Sequence, residues 1–180
     1  MDQCVAPAVL LGVKKLVRWT IALVLGALSL LALPATPKDL RVVWNASPSV
    51  PLGVYWIERR SPKAGEIAAV RLPPDVAQLA HRRVYLPNTA VLLKPVAAGF
   101  GDRACRFGLR VVIQGRPVAA ARWTDRRARA MPHWSGCLKL APGDLVLLGR
   151  SAASFDSRYF GPIHRDRVIG AAMLLWTSGL

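Results

Sequence analysis

From residue 40 onward, short runs rich in Val, Leu and Ile alternate with clusters of Gly, Pro, Asn and Asp. Residues 40–44, 54–58, 66–72, 84–86, 90–96, 109–113, 118–121, 144–148 and 168–176 have the length and β-branched content of strands. Gln114-Gly115-Arg116-Pro117 between two of these runs predicts a hairpin turn. One segment, residues 74–83, predicts a helix, because Pro and Asp open its first turn. The expected fold is a mainly β domain of many short strands, a coiled sheet or barrel-like sandwich.

Ahead of this domain the pattern changes. Residues 19–35 run without a charge, about the shortest length that spans a bilayer. Lys14, Lys15 and Arg18 precede the run, which predicts a cytoplasmic segment at 1–18, a single transmembrane anchor at 19–35 and a periplasmic domain at 39–180. A cleaved signal peptide is the competing reading, but Ala32-Leu33-Pro34-Ala35 is not an Ala-x-Ala site. Some fourteen residues lie between the end of the run and Ser49, a reach of at most roughly 50 Å when extended. The loop that carries Ser49 is therefore expected close to the membrane surface.

Composition sharpens this picture. The 180-residue chain carries a formal charge of +15 and is 53% apolar. Residues 39–180 hold 21 Lys/Arg against 9 Asp/Glu, so an anionic neighbour such as a lipid surface is expected. The densest basic patch is Arg122-Arg126-Arg127-Arg129, and no helix-turn-helix, zinc-finger or aromatic–basic RNA-binding pattern accompanies it. Nucleic acid is not the expected partner. Cys4, Cys105 and Cys137 show no C-x-x-C spacing, so no metal site and no cofactor is expected. Cys105 and Cys137 both follow the apolar run, where the compartment is oxidising, and are expected to pair; the alternative is two unrelated buried thiols. Such a loop would contribute roughly 3–4 kcal/mol in the chain-entropy description.

The candidate chemistry begins at Ser47-Pro48-Ser49-Val50-Pro51-Leu52-Gly53, a proline-stiffened loop presenting two hydroxyls. Read blandly, it is turn chemistry before a strand. Ala90-Val91-Leu92-Leu93-Lys94-Pro95-Val96 then sets one lysine in an apolar strand. Its head can snorkel to solvent, or burial can disfavour the ammonium and make the amine a base for a serine hydroxyl. His81, His133 and His164 stand alone in polar or turn-like contexts, and no Gly-x-Ser-x-Gly elbow is present. A third stretch, residues 151–162, gathers Ser151, Ser154, Ser157, Asp156 and Arg158 between glycines and suits a hydrogen-bonded buckle.

These three stretches in this order resemble the signal peptidase I superfamily of Ser-Lys proteases, and more closely its TraF-type branch, the conjugative transfer signal peptidases. The branch also carries the Trp-x-Gly-Cys found at 134–137 and the Leu-Trp-Thr at 175–177. The resemblance covers about residues 40–178. It implies Ser49 as nucleophile, Lys94 as general base, and Ser47 with the Ser49 N–H as oxyanion hole. It further implies that Ser154 orients the lysine, that Asp156 is itself required, and that Ser157 and Arg158 support their loop. The strand from Gly65-Glu66-Ile67 to Val70 should line the substrate cleft, and an exposed apolar face should lie near the membrane. Two departures, Pro51 one residue early and Gly149-Arg150-Ser151 in place of Gly-Asp-Asn, favour the TraF branch over bulk preprotein processing. The implied function is maturation, by cleavage or cyclisation, of a pilin precursor for conjugative transfer. The implied partners are that precursor, membrane lipid and other conjugation or type IV secretion components. The alternatives are a general signal peptidase and a non-catalytic basic envelope or DNA-binding factor.

Overall fold

The computed structural model describes residues 19–21, 23–24, 41–87 and 91–177. Leu40–Leu180 form one compact unit and Met1–Asp39 another. Most of the expected anchor, 19–35, lies outside the described residues; those described within it are helical. Among the described residues no helix is long and apolar enough to cross a membrane.

The compact unit is mainly β, with two antiparallel sheets. Six strands make the larger one: β1 (Val42–Asn45), β2 (Gly53–Glu58), β3 (Ile67–Arg71), β4 (Val91–Ala98), β9 (Val146–Leu147) and β10 (Val168–Thr177). Their order is β1-β2-β10-β3-β4-β9. The smaller sheet comprises β5 (Arg103–Phe107), β6 (Arg110–Ile113), β7 (Arg116–Ala120) and β8 (Gly136–Lys139), in the order β7-β6-β5-β8. Gln114 and Gly115, both at positive φ, turn the β6–β7 hairpin where the sequence predicts it.

β2 alternates buried and half-buried residues, the signature of a strand with one face on the core. β3 and the first half of β4 are buried on both faces. Ala68, Val70, Leu92 and Val96 pack on one side, with Leu147 and Ile163, while Ala69 and Leu93 pack on the other, with Tyr55 and Ile57. Side chains two residues apart share a strand face. Lys94, flanked by Leu92 and Val96, therefore projects into the first of these clusters.

Helix α1 (Pro74–Arg82) has Pro at its start, Asp75 in its first turn and His81 and Arg82 in its last, an order that suits the helix dipole. Beyond it the expected strand at 84–86 is absent. The Val84 and Tyr85 amides bond back to the His81 and Ala80 carbonyls, and Val84 sits at φ 59° with its side chain exposed. The apolar residues there serve differently: Tyr85 and Leu86 drop onto the core from a helix-end turn. Two strands, β5 and β8, were not predicted. Their sequences lack aliphatic alternation, and β5 buries a charged residue, Arg106. In register, Cys105 faces Cys137 directly, and the two are joined by a disulfide.

Candidate active site

The Ser47–Gly53 loop leaves β1 at Asn45, and this buried amide holds it. Asn45 Nδ2 reaches the carbonyls of Ser47, Val50 and Pro51 at 2.8, 3.1 and 3.0 Å. Its Oδ1 accepts from the Ser47 N–H at 3.2 Å and the Ser47 hydroxyl at 3.1 Å. The Tyr55 hydroxyl donates to the Pro51 carbonyl at 2.8 Å. Gly53 closes the loop at φ 153°, where a Cβ would meet the Trp176 carbonyl oxygen at 1.9 Å. Only glycine fits that crossing. The loop thus presents two hydroxyls side by side, with Ser47 Oγ and Ser49 Oγ 2.9 Å apart. Ser49 is buried, and its Oγ lies 3.3 Å from the carbonyl oxygen of Leu93, the residue preceding Lys94 on β4.

Lys94 is 5% exposed. Its Nζ donates to Ser154 Oγ at 2.7 Å. Burial pulls the Lys94 pKa down to about 8, with the Asp156 charge opposing that fall and the Arg158 charge adding to it. Gly149 makes room for this contact, since a Cβ there would lie 2.3 Å from Ser154 Oγ and 3.4 Å from Lys94 Nζ. Ser49 and Lys94 share one cleft of about 590 Å³, which Ser47 and Ser154 also line.

Asp156 sits behind this cleft. Its fully buried carboxylate accepts from the Gly149 N–H at 2.8 Å, and from the Arg158 N–H and Nε at 3.1 and 2.8 Å. Arg158 Nη2 donates to the Gly149 carbonyl at 2.8 Å, and Nη1 to the Ala120 carbonyl at 3.2 Å. The pair thus buckles the 149–158 loop shut and acts on the lysine through position and charge. Ser157 Oγ accepts from the Leu147 N–H at 2.9 Å and begins the short helix α2 (Ser157–Phe160). Two further supports were not anticipated: Arg106 Nη1 donates to the Arg158 carbonyl at 2.6 Å, and Trp134 Nε1 to the Ser157 carbonyl at 2.9 Å.

One expectation needs correction. β3 does not line the cleft; set between β10 and β4, its Ala68, Ala69 and Val70 are sealed in the core. The histidines stay apart from this chemistry: none lines the cleft, and His164 faces solvent, with Nδ1 2.9 Å from Asp144 Oδ1.

The family described as "Signal peptidase, peptidase S26" matches residues 13–177. The chain belongs to this family. It is 37% identical to the conjugal transfer protein TraF of Agrobacterium fabrum strain C58, over 74% of this chain and 81% of that one. It is 34% identical to the probable conjugal transfer protein TraF of Sinorhizobium fredii, over 74% and 76%. It is 30% identical to an Escherichia coli plasmid transfer protein TraF, over 80% and 86%. Among solved structures, a signal peptidase I from Enterococcus faecalis V583 aligns over 63% of this chain and 98% of its own, at 18% identity and a TM-score of 0.36. The resemblance seen in the Ser-Lys motifs is thus carried by the sequence as a whole.

Proposed function

We propose that the chain is a membrane-anchored serine endopeptidase with a Ser49–Lys94 dyad that matures a pilin precursor for conjugative transfer. One observation carries the reading: a dry lysine amine, held by Ser154, shares a cleft with a serine hydroxyl seated against the carbonyl of Leu93, the lysine's own neighbour on the strand. At its lowered pKa of about 8, roughly one Lys94 in ten is neutral at pH 7, against about one in three thousand for a solvated lysine.

The neutral amine takes the Ser49 proton as Oγ attacks the substrate carbonyl carbon. The resulting oxyanion meets the Ser49 N–H and the Ser47 hydroxyl, each such donor being worth about 3–4 kcal/mol. The Lys94 ammonium then gives its proton to the departing amine, leaving an ester on Ser49. Water, or an amine of the same pilin, takes the acyl group and restores the serine; attack by the amine closes a circle.

The relatives' names connect them to conjugal and plasmid transfer, which supports a substrate in that process. Val42, Trp44, Leu175 and Trp176 at the β1–β2–β10 side of the larger sheet are exposed, with the two indoles 6.2 Å apart. This rim supports contact with the outer leaflet of the inner membrane beside the Ser49 loop. Ser49→Ala and Lys94→Ala should each abolish precursor processing in cells, read as the mass of co-expressed pilin. Normal mature pilin with either folded variant would defeat the reading.

A further inference from the structure

The cleft that holds Ser49 and Lys94 continues between two kinds of wall. Leu86, Leu92, Met131, Phe155 and Tyr159 make an apolar part. The 122–129 segment makes the other, contributing Arg122, Arg126, Arg127 and Arg129.

Asp125 is the acid of this segment, and it is already saturated. It accepts from the Tyr85 hydroxyl, from Arg129 Nε at 2.7 Å, and from the Arg127 and Arg129 N–H groups at 2.8 and 3.0 Å. The Tyr85 bond foremost holds its carboxyl far below the usual range, so it stays ionised and committed to Arg129. Arg129 also lies over the Tyr85 ring, 5.6 Å from its centroid. Asp125 therefore shapes the wall but leaves the charge of its other arginines uncompensated. Among the described residues Arg122, Arg126 and Arg127 have no carboxylate partner, and all three are exposed.

We propose that Arg122, Arg126 and Arg127 form a carboxylate-selecting subsite, which reads an acidic side chain or the terminal carboxylate of the bound peptide near its scissile bond. This inference rests on the peptidase reading of the same cleft. Guanidinium forks match carboxylates in geometry as well as charge. A cleft of about 590 Å³ has the size of a site for a short peptide segment. Its apolar wall beside the arginines suits a segment that pairs an apolar residue with an acid. The exposed Trp44–Trp176 rim belongs to β1 and β10, outside the cleft lining, whereas the arginines line the cleft itself.

The test uses the full chain in detergent micelles and a proteome-derived peptide library, with cleaved sites sequenced by mass spectrometry and Ser49→Ala as the blank. Asp, Glu or a free chain end should be enriched at a fixed distance from the cut, and amidating the termini tells side chain from chain end. For synthetic peptides differing only by Glu and Gln there, or by a free and an amidated end, kcat/KM should favour the acid by roughly three- to tenfold. That ratio should shrink with salt and fall to about one in Arg122→Gln/Arg126→Gln/Arg127→Gln. The corresponding triple Glu variant should prefer a Lys peptide, an inversion that misfolding cannot produce. Cleavage without acidic enrichment, or a ratio unchanged in the triple Gln variant, overturns the subsite and leaves the peptidase standing. An unchanged ratio together with lost binding to phosphatidylglycerol vesicles would assign the arginines to lipid instead. No cleavage above the Ser49→Ala blank would remove the peptidase reading itself, and the subsite with it.

Discussion

Two loops bring hydroxyls to the cleft, and they are held by opposite means. The Ser47–Gly53 loop hangs on a neutral amide, with Asn45 spreading its donors over three carbonyls. The 149–158 loop is closed by a buried ion pair, Asp156 with Arg158, both almost without solvent contact. On the proposed peptidase reading, the difference follows from what each loop must do. A nucleophile needs a fixed position, which hydrogen bonds to the backbone supply without adding a charge. A lysine base needs a dry surrounding and a balanced field, and Asp156 and Arg158 push its proton affinity in opposite directions. A neutral scaffold thus serves the serine, and an ionic one serves the lysine.

The contrast breaks first, and hardest, at Asp156. Asp156→Ala leaves Arg158 buried without its counter-charge, beside a second buried guanidinium at Arg106. Losing one partner of such a pair should cost about 3–5 kcal/mol, read as the loss in unfolding free energy by denaturant titration. A loss below about 1 kcal/mol would mean that the loop does not depend on the ion pair.

Next comes Lys94→Met. A lysine whose folded pKa of about 8 lies below the ordinary lysine value of 10.5 binds its proton more weakly when folded. Its charge therefore destabilises the fold in full below about pH 8, and the penalty fades as pH rises to 10.5, where the unfolded chain also releases the proton. Lys94→Met should stabilise the protein at pH 7 by up to about 3 kcal/mol, a gain lost between those two pH values. In the wild type, kcat/KM for peptide cleavage should rise with pH through about 8, since the base must be neutral. A flat stability difference across that window, or a rate limb near pH 6, would speak against a depressed amine.

The smallest expected effect is at Asn45. Asn45→Ala should cost about 1–3 kcal/mol of stability, since the carbonyls it served turn partly to water. It should lower kcat more than it raises KM, because it frees Ser47 and Ser49 without altering the arginine wall. A variant that destabilises more than Asp156→Ala would reverse the comparison between the two loops.

These residues also mark what the sequence could tell. Ser49 and Lys94 stood out because each contradicts its neighbours, a hydroxyl between prolines and a cation within an aliphatic strand. The strands of the larger sheet were legible for the same reason, as runs of Val, Leu and Ile bury on one or both faces. Asn45 left a faint signal, an amide next to a turn, where side-chain capping is common. Gly149 left none, since its meaning comes from Lys94, far earlier in the chain, and from Ser154, which folds back onto it across the loop. Arg106 misled, because a charge in the middle of Arg103–Phe107 hides a strand whose guanidinium is used internally. Val84–Leu86 looked like a strand because apolar content alone does not separate a strand from a helix-end turn that packs on the core.

Arg158 touches more than its acid. One of its arms reaches the Ala120 carbonyl at the end of β7, another the Gly149 carbonyl beside the lysine, and Arg106 on β5 grips the Arg158 carbonyl from below. Two guanidiniums thus act as tie-rods from the disulfide-bearing sheet to the chamber of the other. The smaller sheet, which supplies neither Ser49 nor Lys94, is in this sense the foundation that keeps the amine's chamber in shape.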